Sequence, residues 1–395
     1  MQARKIAEGI HWVGAVDWNR RLFDGLIPLP DGTSYNAYLV QGDDKTVLID
    51  TVDPALEGVL LERLEGIEKI DYVVSLHAEQ DHSGTLPVVL ERYPQAQLVV
   101  SKKARDMLAD LLPLAPERFL VVEDGQQLPL GGRTLKFIYT PWVHWPETMS
   151  ALLEEEGVLF SCDFFGSHIA SSELFVGDQG RVYEAAKRYF AEIMMPFRTV
   201  IAKNIEKLSA YDIKMIAPSH GAIHRQPQFI VDAYRQWVSG PPANRVVLAH
   251  VSMHGSTQLL VDRLAEGLVE RGVEVEKFDL PVTDIGKLAM SLVDAATIVI
   301  GTPTVLAGPH PAAAYAAFLA NALRPPARFL SIIGSYGWGG RTVEMLSAMV
   351  PNIKAEVLEP VLCRGLPGPE DLQRVDGLAE AIVAGHRREG LPAGG

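Results

Sequence analysis

The run Ser239-Gly-Pro-Pro-Ala-Asn244 separates two stretches of different rhythm, so the chain must be read as two folding units. Two consecutive prolines beside a glycine stop a helix and cannot sit in an inner strand. Upstream, short β-rich runs follow closely on one another: NAYLVQ, KTVLIDTV, DYVVSLH, AQLVVSK, TLKFIYT, GVLFSCD and KMIAPSH. Helical patterns at 56–66 and 104–112 are interspersed among them. Many strands with a few covering helices predict a layered α/β sandwich. Downstream, apolar strands alternate regularly with amphipathic helices, as in RVVLAHV, QLLVDRLAEGLVERG, VEVEKFDL, TIVIGTP and RFLSIIGSYG. That alternation is the βαβ signature of a doubly wound parallel sheet. The expected domains are 1–243 and 244–395, the second ending in a glycine-bearing tail, GLPAGG, expected to fray.

Composition narrows the partners. The 395 residues carry 49 acidic and 36 basic side chains, a formal net charge of -13, which offers no general attraction to nucleic acid or anionic lipid. No apolar run approaches the roughly 20 residues of a membrane span, and charges interrupt the opening MQARKIAEGIHWVG. The two cysteines, Cys162 and Cys363, lie far apart and form neither a disulfide framework nor a Cys-x-x-Cys site. A cytoplasmic protein without an internal iron-thiolate relay is expected.

The most concentrated chemistry lies in Ser75-Leu-His-Ala-Glu-Gln-Asp-His-Ser-Gly84, directly after the apolar run DYVVSL. It delivers His77, Glu79, Asp81 and His82, and a loop on a rigid strand end can turn these side chains toward two different points. Two metals suit that arrangement better than one. Further ligands are sought at other strand ends: His144 after TLKFIYTPWV, Asp163 after GVLFSC and His220 after IKMIAPS. Four imidazoles and three carboxylates suit iron or manganese as well as zinc. Isolated histidines such as His11, His168, His224 and His386 are read as surface or hydrogen-bonded residues.

The second stretch offers a phosphate cradle. Ser252-Met253-His254-Gly255-Ser256-Thr257 opens a helix near Gln258, where amides, hydroxyls and the helix dipole favour an anion. The pattern is neither a Walker loop nor a dinucleotide glycine motif, so a mononucleotide is expected. Two later strand ends fit the same site. Thr302, Pro303, Thr304 and Val305 form one, and Ser335, Tyr336, Gly337, Trp338, Gly339 and Gly340 form the other. Glycine permits close approach to a flavin ring, on which Tyr336 or Trp338 can stack.

The spacing His-x-Glu-x-Asp-His, then 61 residues to His144, 18 to Asp163 and 56 to His220, resembles the flavodiiron proteins. The resemblance spans the whole chain and includes the domain order. It implies a metallo-β-lactamase-like αββα sandwich followed by a flavodoxin-like doubly wound sheet, in the minimal two-domain class. Glu79 stands where zinc hydrolases of that fold commonly carry a second His. By the family pattern, two Fe ions are held per chain. His77, Glu79 and His144 take one, Asp81, His82 and His220 take the other, and Asp163 bridges them. The three loops of the second domain resemble FMN-binding loops.

The implied activity is reduction of dioxygen to water, of nitric oxide to nitrous oxide, or of both. Electrons pass through FMN from an external donor, a rubredoxin or a reduced deazaflavin. A head-to-tail homodimer, or a dimer of dimers, follows from the same pattern. Two positions depart from it: Asp24 stands where a His is common, and Tyr189-Phe190 replaces a Tyr-Tyr pair, both beside the metal pocket. A binuclear zinc hydrolase fused to a flavodoxin-like module is the alternative reading, and a carrier protein with a vestigial site is another.

Overall fold

The computed structural model describes residues 2–391, so most of the tail expected to fray lies outside the described residues. The chain divides into two compact units, 1–189 with 197–238, and 190–196 with 239–395. The sequence put the division at 243/244. The helix Pro227–Ser239 lies at the end of the first unit, next to the 239–244 run, and the π-helical turn Phe190–Met194 groups with the second, packed on the helix Ile285–Leu292. Such a short buried turn inside the first stretch carries no periodicity of its own.

The first unit is built on two sheets. One is seven-stranded: Arg4–Ala7, Ile10–Trp12, Tyr38–Gln41, Thr46–Ile49, Tyr72–Val74, Gln97–Ser101 and Phe119–Val122. Its last four strands are parallel. The other is five-stranded: Gln127–Pro129, Thr134–Tyr139, Met149–Leu153, Val158–Cys162 and Met215–Pro218. Successive residues face opposite sides of a strand, and here both sides are dry. Val47, Ile49, Val74 and Val99 meet Phe137, Met149, Ala151 and Phe160 between the sheets. Leu48, Val73, Leu98 and Val100 face Leu60, Val89 and Leu108 of the covering helices. These strands therefore read as continuous apolar runs. With helices outside both sheets, this is the αββα sandwich of the metallo-β-lactamase type.

In the second unit all strands of the main sheet run parallel, in the spatial order Glu274–Asp279, Ala243–His250, Ala295–Val305, Phe329–Tyr336, then Glu356–Val357 and Val361–Arg364. Numbered along the chain, that is 2-1-3-4-5, the flavodoxin-like order, with its switch point beside the first strand. The helices Ser256–Val269 and Pro369–Arg388 bury Leu260, Leu264, Leu268, Val375, Leu378 and Ile382 on one face. Among the described residues, no helix is long and apolar enough to cross a membrane.

Candidate metal centre and phosphate cradle

Three of the loops that leave strand ends in the first unit bring six of the predicted side chains to one place, and the connection before Met149–Leu153 adds His144. After Tyr72–Val74 the chain passes His77 and Glu79 in extended form and then turns into the short helix Gln80–Ser83, which re-aims Asp81 and His82. Cys162, the last residue of its strand, adopts φ 53°, a left-handed bend that swings Asp163 off the sheet. His220 follows Met215–Pro218, whose loop is held by Asn36 Nδ2 and Tyr38 OH donating to the Pro218 carbonyl at 2.8 and 2.7 Å.

The seven side chains fall into two groups of three sharing one carboxylate. His77 Nε2 and His144 Nε2 lie 3.2 and 3.0 Å from Glu79 Oε2, and each is 3.5 Å from Asp163 Oδ2. His82 Nε2 and His220 Nε2 lie 3.3 and 3.2 Å from Asp81 Oδ2, and 3.1 and 3.4 Å from Asp163 Oδ1. Ligands each about 2.1 Å from a common ion stand this far from one another. Asp163 presents one oxygen to each group.

The hydrogen positions sharpen the case for cations. Glu147 Oε1 accepts from His77 Nδ1 at 2.6 Å and from the Ala78 amide at 3.0 Å, while the Ser34 carbonyl accepts from His220 Nδ1 at 2.7 Å. With Nδ1 protonated, each ring points a lone pair at carboxylate oxygens. Lone pairs facing lone pairs in a dry pocket require a proton or a metal between them. Asp163 Oδ1, both oxygens of Asp81 and Nε2 of His82 are buried without a hydrogen-bond partner. The donor set thus fits two cations.

In the absence of metal, protons take that place. Burial opposes a charge on His77, but Glu147 and Glu79 outweigh it and hold the imidazole well above its ordinary range. Burial is likewise outweighed at His82, where Asp81 and Asp163 push the ring up to about 9. At Glu79, burial is overcome by His144 and His77, which hold the carboxyl far below its usual range. Metal binding releases such protons.

Of the two departures from the family pattern, Asp24 sits beside Glu79, and burial followed by that neighbour pushes its carboxyl up to about 6. Tyr189 is buried, its ring centre 5.9 Å from that of His220. Sequence reasoning missed two supporting groups. Glu147 orients His77, and only its place three residues after His144 hints at this. Asp50 accepts from the Leu76 amide at 2.8 Å and from Ser219 Oγ at 3.1 Å, tying the loops of His77 and His220 together. Its burial pushes the carboxyl up to about 6. His168, read as a surface or hydrogen-bonded histidine, is buried with Nδ1 2.8 Å from Thr33 Oγ1 and its ring centre 4.8 Å from that of His220.

In the second unit the predicted loops meet above the sheet. Gly255, at φ 90°, precedes the helix Ser256–Val269 without a side chain of its own to cap it, so the Ser256 and Thr257 amides of the first turn stay available. Nothing lies within 4 Å of a Cβ built on Gly255, leaving open space for a phosphate. Buried Thr257 is joined to Ser335 through their hydroxyls at 2.9 Å, and Ser252 Oγ accepts from the Gln258 amide at 3.2 Å.

Thr302, Pro303, Thr304 and Val305 are not the loop the sequence suggested. The strand Ala295–Val305 continues through them into a hairpin with Gly308–Pro309, turned by Leu306 and Ala307 at positive φ. Thr304 and Thr342 hydroxyls, 2.8 Å apart, tie this hairpin to the start of the helix Thr342–Met349 that follows the glycine-rich segment. Tyr336 ends its strand half-buried, whereas Gly337, Trp338 and Gly340 are exposed and Gly339 partly so. Met253, His254 and Ser256 complete the rim. Two open amides at a helix start, hydroxyls and bare glycine backbone fit a flavin mononucleotide.

A β-lactamase-like unit whose donor set fits two cations, followed by a flavodoxin-like unit, defines a class of oxidoreductase, and similarity to known proteins agrees. The ODP family β-lactamase model matches residues 33–221. The nitric oxide reductase of Moorella thermoacetica is 37% identical over 96% of this chain and 98% of its own length. The coenzyme F420H2 oxidase of Methanothermobacter marburgensis is 34% identical over 78% of this chain and 79% of its own. The solved rubredoxin oxygen:oxidoreductase of Desulfovibrio gigas superposes with a TM-score of 0.95 at 32% identity, covering 98% of this chain and 99% of that one. The chain belongs to the flavodiiron protein family, and the hydrolase reading is the less supported one.

Proposed function

We propose that this protein reduces dioxygen to water, nitric oxide to nitrous oxide, or both, at two irons held by His77, Glu79, His144, Asp81, His82, His220 and the shared Asp163. The observation that carries the reading is the pair of three-residue groups joined through the two oxygens of Asp163. When bound, the irons supply electrons and adjacent Lewis-acidic positions for a diatomic gas, and FMN divides paired electrons into single ones. The chain's own residues hold these groups. Glu147 and the Ser34 carbonyl orient His77 and His220, and Asp50 fixes their loops. The Ser252–Thr257 segment would hold the phosphate, and Tyr336 and Trp338 would offer rings for the flavin to stack on.

The relatives support an external donor of either kind, since one is named for rubredoxin and another for coenzyme F420H2. A head-to-tail homodimer, or a dimer of dimers, is supported by apolar side chains left open around the flavin loops, Leu306 at 96% and Trp338 at 89% exposure. Two free, buried cysteines support a cytoplasmic setting. The test is anaerobic consumption of dioxygen and of nitric oxide with one reduced donor. Turnover of at least one gas is expected, and consumption of neither by iron-loaded, flavin-loaded protein would overturn the proposal.

A further inference from the structure

Five residues beyond Asp163 the chain carries His168, a buried imidazole beside the metal pocket that is not one of the seven ligands. Its backbone is pinned on both sides. The Ser167 amide donates to the His220 carbonyl at 3.2 Å and the Ala170 amide to the Asp31 carbonyl at 2.8 Å. The ring stands among those of His220 and Tyr189, each 4.8 Å away between centres, and of Phe23 at 5.2 Å. Burial holds its basicity well below the ordinary imidazole range, and the side chains that act on it next are His220, Asp163, Glu79 and His82, all of the metal pocket.

The two ring nitrogens are placed differently. Nδ1 lies 2.8 Å from Thr33 Oγ1, whereas Nε2 is buried with no hydrogen-bond partner among the described residues. Thr33 decides which nitrogen carries the proton. Its hydroxyl has one hydrogen to give, and the competing acceptor, the Ser34 carbonyl, is 3.3 Å away and already accepts from His220 Nδ1 at 2.7 Å. The hydrogen therefore goes to His168 Nδ1, which leaves the proton of the ring on Nε2. A charged ring would carry a proton there as well, so the donor exists in either state. A fixed N–H in a dry pocket is costly unless something that enters the pocket accepts from it.

We propose that His168 Nε2 donates a hydrogen bond to a small ligand held at the metal pair, on the side of His220. This rests on the reading of the pocket as a diiron centre, and the test keeps the two apart. The probe is azide, added to oxidised protein loaded with iron and flavin and followed by its dissociation constant and by the infrared stretch of the bound anion. In His168→Phe azide should bind about tenfold more weakly and its stretch should shift, with iron and flavin contents unchanged. Transfer to deuterium oxide should move the stretch in the unaltered protein and move it less in that variant. His168→Gln keeps an N–H donor and should recover most of the affinity, a comparison that stands even where the Phe variant fails to fold. Azide that does not bind the iron-loaded protein, or that binds with the same affinity and stretch in both variants, would overturn the proposal while leaving the diiron reading intact. Loss of iron from both variants would overturn it too, because the ring would then serve only to pack against His220. Unaltered protein that takes up no iron would sink both.

Discussion

The metal pocket and the flavin cradle solve the same problem, holding a charged cofactor, in opposite ways. The pocket does it with side chains in a dry interior: His77 is fully buried and Asp163 nearly so. The cradle does it with backbone and hydroxyls at an open rim, where Met253 is 52% exposed. Burial makes each pocket residue dependent on the others, because an unpaired carboxylate or imidazole there is costly. An open rim lets water stand in for a lost group. Changes in the pocket should therefore be severe and specific to iron, while changes in the cradle should be mild and specific to flavin.

The sharpest way to break the comparison is Asp163→Ala. Removing the carboxylate common to both groups should abolish gas reduction and strip most of the iron, with the flavin absorbance intact. Loss of flavin together with iron, seen by metal analysis and absorbance on one sample, would mean that the two sites are not separate. Next in size, Glu147→Gln leaves all seven ligands in place but weakens the acceptor that orients His77. Iron affinity should fall about 10- to 100-fold by competition with a chelator. In the cradle, Thr257→Val removes the hydroxyl pair with Ser335, and FMN affinity should fall only about tenfold, measured by fluorescence, with iron unchanged.

The smallest effect concerns pH and separates the units by their buried histidines. His224 in the first unit and His386 in the second are both pushed down to about 4 by burial, from an ordinary 6.5. Between these values the unfolded chain binds a proton that the folded one does not, so stability is full above pH 6.5 and falls as pH drops toward 4. For His224 the loss amounts to about 3 kcal/mol. Asp24 and Asp50, raised to about 6, act in the opposite sense over the same range, so the contribution of His224 is read as a difference: in denaturant titration of the metal-free protein, the change in stability from pH 7 to pH 5 should be less unfavourable in His224→Phe than in the unaltered chain.

What the sequence disclosed follows the same division. The seven pocket residues could be read off because few residue types can bind metal, and they occur at the ends of recognisable apolar strands. Glu147 and Asp50 could not, because each acts on a partner distant in sequence and a lone carboxylate between strands carries no signal. The short N-terminal strands from Arg4–Ala7 to Thr33–Tyr35 escaped for a related reason. They span only two to four residues, too few to display a period of two. In the cradle, Thr302–Val305 read as a loop because proline and threonines interrupt the apolar run, whereas the strand continues into a hairpin tied to the helix that follows the glycine-rich segment.

The central claim is that the pocket is a diiron centre serving an FMN-dependent reduction. Its most direct test is the iron, zinc and FMN content of protein purified without added metal, measured on the same sample as its gas consumption. The account expects close to two irons and one FMN per chain together with turnover. Two zincs and no iron, in protein that consumes neither gas, would contradict it.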